Sequence, residues 1–133
     1  MFEIKTSANF EAAHRLSNYA GKCNRIHGHN WKVELEAKSK KINNQEMVLD
    51  FTVLKEILKE FDHFLILKDN KENKKIVNSI PKEWIKWLSF EPTAEQLSKY
   101  LSKKIFEKGT LESITIRVWE SEKSYAEFTV KHK

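Results

Sequence analysis

Asn30-Trp31-Lys32-Val33-Glu34-Leu35-Glu36-Ala37-Lys38 alternates without a break. Trp31, Val33, Leu35 and Ala37 fall on one side, and Lys32, Glu34, Glu36 and Lys38 fall on the other. Such a period of two belongs to a strand with one buried face and one wet face. Upstream, residues 2–12 alternate more loosely through Phe2, Ile4, Thr6, Ala8 and Phe10, which predicts a first strand. Ser17 to Lys22, with Asn18 and Gly21, reads as the loop between them.

Downstream, Leu54, Ile57, Leu58 and Phe61 recur at i, i+3, i+4 and i+7, which predicts a helix that Asp50 or Thr52 can cap. Pro92 and the capping-box spacing Thr93-Ala94-Glu95-Gln96 open a second helix. Leu97, Tyr100, Leu101 and Ile105 form its apolar stripe, and Gly109 ends it. Leu111 to Trp119 alternates through Ile114, Ile116 and Val118, Glu120 to Ser124 turns, and Tyr125 to Val130 returns as the last strand. The order is strand, strand, helix, helix, strand, strand. It predicts an α+β domain with a four-stranded antiparallel sheet and two helices on one face. Residues 66–91 give the weakest pattern, compatible with a short helix and a short extra strand.

The chain of 133 residues fits one domain, 1–133, and 40% hydrophobic residues suffice for a core. Its single cysteine excludes an intrachain disulfide and suits a reducing compartment. The first residues carry no apolar leader segment and no run approaches membrane-spanning length, so a soluble, cytoplasmic protein is expected. Four lysines against two acids between Lys68 and Lys75 supply two of the five net positive charges. No basic stripe interleaved with aromatics accompanies them, so nucleic acid is not the expected partner. Attraction for an anionic small substrate remains open.

Four of the five histidines, and the cysteine, fall in short motifs: Phe10-Glu11-Ala12-Ala13-His14, Cys23-Asn24-Arg25-Ile26-His27-Gly28-His29, and Asp62-His63. His27 and His29 are two apart, so a strand points both to one side. A hairpin across residues 15–26 would return His14 beside them. Three neutral imidazoles make a zinc site with a free fourth position; the alternative is three unrelated histidines. Cys23 reads as a small buried hydrophobe, as the fourth ligand of a closed structural zinc site, or as a thiolate activated beside a cation. Asp62-His63 reads either as polar residues at a helix end or as a relay in which a carboxylate orients an imidazole. Glu120 reads as a surface carboxylate or as a two-bond fork for a guanidine-like ligand edge.

Together F-x-A-A-H (10–14), C-x-x-x-H-G-H (23–29), L-D-F (49–51), F-D-H (61–63), P-T-A-E (92–95) and V-W-E followed by S-Y-A (118–126) resemble the 6-pyruvoyl-tetrahydropterin synthase family. The C-x-x-x-H spacing is similar to its bacterial 6-carboxy-tetrahydropterin synthase branch, of the queuosine pathway. The resemblance implies the tunnelling fold (ββααββ), with the sheets of several subunits joined into a β-barrel in a homo-oligomer, expected to be a hexamer. It further implies a zinc ion on His14, His27 and His29, Cys23 as general base, and Asp62 and His63 as a relay presented by a neighbouring subunit. Glu120 would anchor the pterin, with Thr93 and Glu95 helping to line its pocket. The implied substrate is 7,8-dihydroneopterin triphosphate. Pyruvoyl synthesis or side-chain aldolase cleavage on the same scaffold, and a non-catalytic zinc-stabilised domain, are the alternatives. Gln96 stands where the family commonly has Asn, and Phe64-Leu65-Ile66-Leu67 replaces its usual short loop.

Overall fold

The alternating stretch forms the centre of β2 (His27–Ser39), which pairs antiparallel with β1 (Phe2–His14) along its whole length, from Phe2 opposite Ser39 to His14 opposite His27. The structure is a computed structural model and describes residues 1–132. The other edge of β2 pairs antiparallel with β5 (Ser113–Ser121), and β5 pairs with β6 (Ser124–Lys131). Those are the four strands that the alternation predicts. Trp31, Val33, Leu35 and Ala37 are buried, as are Ile114, Ile116 and Val118 across from them. Each fully buried aliphatic side chain of this kind stabilises the fold by about 2 kcal/mol relative to exposure.

The sheet has six strands rather than four, in the order β4-β3-β1-β2-β5-β6. The two additional strands, β3 (Phe64–Lys68) and β4 (Ile85–Leu88), run parallel to β1 and to each other, respectively. β3 carries no period-two signal because both of its faces are covered. Ile66 enters the main core, while Leu65 and Leu67 join Val77 in a second cluster. A short continuous apolar run cannot be separated from a helix segment by periodicity alone.

Among the described residues three α-helices occur, the two that the periodicity predicts and a short one within the weakly patterned stretch 66–91. α1 (Thr52–Leu58) packs on β1, and α3 (Ala94–Phe106) packs on β5 and β6. The third, α2 (Lys71–Ile76), supplies Asn73 as its buried residue and precedes Val77 of the second cluster. Asn70 caps α2, accepting the Asn73 N–H at 2.8 Å. Thr93 caps α3 by accepting the Gln96 N–H at 3.1 Å, as its spacing predicts. At α1 the cap position is Phe51, and Asp50 instead accepts the Thr52 N–H at 2.9 Å from one residue further out. Among the described residues no helix is long and apolar enough to cross a membrane.

Candidate metal centre

Residue parity carries the hydrophobic face of the sheet directly into a polar cluster. On β1 the buried series Phe10, Ala12 continues to His14; on β2 Trp31 is preceded by His29 and His27; on β5 Ile116 and Val118 are followed by Glu120. Alternate residues share a face, so all four polar side chains stand at one end of the core layer. Their ligand atoms lie within 4.8 Å of one another, a group that could hold a metal ion. Cys23 is not one of its members.

The hydrogen bonds fix which ring nitrogens are free. His14 donates Nδ1–H to the carbonyl of Pro92 at 2.8 Å, and His27 donates Nδ1–H to the carbonyl of Arg25 at 2.7 Å. A carbonyl can only accept, so in each neutral ring Nε2 is left as a lone pair. Those two Nε2 atoms are 3.0 Å apart. Two facing lone pairs repel unless a cation lies between them. His29 Nε2 is buried and makes no hydrogen bond; it lies 3.3 Å from a Glu120 oxygen, outside bonding geometry. A buried polar atom without a partner is uncommon, and here it faces the same point as the other two. The donor set therefore fits a divalent cation, with carbonyls in the orienting role usual around ligating histidines.

Electrostatics agree. Burial pushes the His14 pKa down to about 4, against a partial counter-effect of the Pro92 carbonyl, with further lowering by His27 and His29. Burial also lowers that of His29, which Glu120 partly offsets. Both rings are thus held in the neutral form that ligation needs.

Cys23 sits half-buried in a single 3-10 turn, Lys22–Asn24, where its carbonyl accepts the Leu16 N–H at 2.9 Å. Asp62 and His63 lie past α1, in the turn into β3. One Asp62 oxygen accepts the Glu11 N–H at 2.9 Å, and the other lies 3.0 Å from His63 Nδ1. The Glu11 N–H, more than any other contact, holds the Asp62 carboxyl below its ordinary pKa. His63 adopts a φ of 65°, in the left-handed region, and its N–H donates to the Glu11 carbonyl at 2.6 Å. Its ring is 75% exposed and opens on a groove of about 530 Å³ that Glu11, Ala13, His29, Asn30 and Leu65 line. Glu11, Ala13 and Asn30 have the parity opposite to the histidine cluster.

Thr93 and Glu95 are not brought into the cluster: Thr93 uses its hydroxyl as the α3 cap, and Glu95 is exposed. Their motif reaches the site through Pro92. The residues missed in the sequence, Pro92 and Arg25, act through backbone carbonyls, which leave no side-chain signal.

Residues 3–131 match the family model described as 6-pyruvoyl tetrahydropterin synthase. A protein of Pyrococcus horikoshii is 35% identical over 143 residues, covering 96% of this chain and 89% of its own length. The 6-carboxy-5,6,7,8-tetrahydropterin synthase of Haemophilus influenzae is 30% identical, covering 96% of this chain and 99% of its own. Among solved structures, the 6-pyruvoyl tetrahydropterin synthase of Plasmodium falciparum superposes with a TM-score of 0.69 at 22% identity, covering 98% of each chain. That last likeness speaks to the fold.

Proposed function

This chain belongs to the 6-pyruvoyl tetrahydropterin synthase family, a family of enzymes, and from that premise we propose that it is a zinc-dependent 6-carboxy-5,6,7,8-tetrahydropterin synthase. Its substrates are 7,8-dihydroneopterin triphosphate and one water, and its products are 6-carboxy-tetrahydropterin, acetaldehyde and triphosphate, on the route to queuosine. The observation that carries the reading is the convergence of His14, His27 and His29, with Glu120 beside them, and with Cys23 outside the group. Three nitrogen ligands leave a position for substrate.

Bound zinc supplies Lewis acidity toward the hydroxyl oxygens of the substrate side chain, which makes protons on the adjacent carbons removable. Cys23 takes such a proton as thiolate and returns it after the carbon–carbon bond has broken. Asp62 orients His63 through Nδ1, which leaves Nε2 to exchange a proton with a thiol. The pair is exposed and lies outside its own histidine cluster, which supports service to Cys23 of a neighbouring subunit. Glu120, beside His29, accepts two hydrogen bonds from the 2-amino-4-oxo edge of the pterin. Thr93 and Glu95 help to line the pterin pocket near Pro92. The working form is a homo-oligomer in the cytoplasm, acting on a small pterin with neither nucleic acid nor membrane as partner.

Incubation of the zinc-loaded protein with 7,8-dihydroneopterin triphosphate, read by mass spectrometry, tests the proposal. The expected product is 6-carboxy-tetrahydropterin together with acetaldehyde. A pyruvoyl product or simple side-chain cleavage would assign a sister activity, and zinc binding without turnover would indicate a binding domain.

A further inference from the structure

Arg15 follows the buried ligand His14 and is itself 2% exposed, although it carries a charge. A buried guanidinium is tolerated only where its donors are used. Here Nε donates to the Asn24 carbonyl at 2.8 Å, one terminal nitrogen donates to Asn73 Oδ1, and the other lies 3.4 Å from Glu72. Asn73 is fully buried and doubly fixed, since its Nδ2 donates to the Lys68 carbonyl at 2.8 Å and its N–H to Asn70. The far end of this chain of bonds is therefore α2 and the end of β3. Its near end is the Asn24–Arg25 peptide, one residue beyond Cys23.

Other bonds hold the same loop. The Leu16 N–H donates to the Cys23 carbonyl, and Asn24 Nδ2 donates to the Leu16 carbonyl at 3.2 Å. Ser17 donates its hydroxyl to Glu91 at 2.8 Å and accepts from Asn70 at 3.1 Å. Glu91 precedes Pro92, whose carbonyl orients His14. The loop that bears the thiol and the ligand His14 are thus referred to one rigid frame.

We propose that Arg15, anchored by Asn73, is the positioning residue that fixes Cys23 relative to the histidine cluster. The proposal rests on the reading of Cys23 as proton carrier. Only a planar fork reaches Asn24 and Asn73 together; a lysine ammonium reaches one of them. Because Cys23 is the single cysteine, every thiol alkylation of the protein reports on it.

The test uses the intact zinc-loaded protein as wild type, Arg15→Lys and Asn73→Ala. Iodoacetamide labelling is followed by intact mass, alongside zinc content, kcat and KM. Both variants should keep their zinc and alkylate severalfold faster. In both, kcat should fall on the order of tenfold with KM little changed, as expected for a misplaced reacting group. A folded variant that labels at the wild-type rate, or loses only KM, overturns the proposal. If Arg15→Lys fails to fold, Asn73→Ala decides by the same readings. Should wild type turn over none of the pterin triphosphate, the proposed reaction fails, while the labelling rates still decide whether Arg15 holds Cys23.

Discussion

At the residue scale, His14 gives the sharpest consequence. Its folded pKa of about 4 lies below the ordinary 6.5, so the unfolded chain binds the extra proton first as pH falls. A histidine held neutral contributes stability that is fully present above pH 6.5 and is lost as pH drops toward 4, on the order of 3 kcal/mol for a group this buried. Urea unfolding of the metal-free protein should therefore shift to lower midpoints between neutral pH and about pH 4.5; a flat profile would contradict the assignment. Cys23→Ala should keep both zinc and fold while turnover drops by a factor of order 10² or more, as for a lost general base. Unchanged turnover would move the proton transfer to another group, with His63 first in line. At His63 itself the positive φ separates two substitutions that both delete the imidazole. Glycine accepts that backbone at no steric cost, so His63→Gly should be more stable than His63→Ala by about 1 kcal/mol in thermal or urea unfolding. Equal stability would show that the turn relaxes.

At the element scale, the site exists because three strands keep one parity from the apolar layer into the polar one. Adding one alanine between Asn30 and Trp31 should leave Trp31, Val33 and Leu35 on the core face and turn His27 and His29 to the other. The expected protein is folded by circular dichroism but binds zinc at least tenfold more weakly, about 1.4 kcal/mol; wild-type affinity would mean that a bulge absorbs the insertion. The same parity explains what was legible beforehand. His-x-His followed by an unbroken alternation placed two imidazoles together, and a hairpin returned His14 to them. A short extra strand within residues 66–91, where β4 lies, was legible only weakly, and β3 was not, because Leu65, Ile66 and Leu67 are buried on both sides and show no alternation. Nor was the clamp on Arg15, whose partner Asn73 lies in a lysine-rich stretch that reads only as a solvated surface. The carbonyls of Pro92 and Arg25 carry no residue-type signal at all.

At the scale of the whole molecule, the sheet ends in two open edges, β4 and the eight-residue β6. Unpaired edges invite pairing between copies, and the proposed assembly, a hexamer of two trimers with joined sheets, removes them. Light scattering should give several times the 15.8 kDa of one chain. Mixing Cys23→Ala with His63→Ala subunits should restore part of the activity if the sites are shared. An active monomer, or a mixture that stays dead, would refute the shared site. One packing detail also turns the protein into its own instrument. Trp31 is fully buried, with its ring centre 4.9 Å from that of His14 and 5.3 Å from that of His29. Trp84 is largely exposed, and Trp87 and Trp119 lie half-buried elsewhere. An indole's emission responds to the charge and motion of imidazoles beside it. With the other three tryptophans changed to phenylalanine, Trp31 would thus become a built-in optical gauge of whether the histidine cluster is filled, readable during turnover without any label.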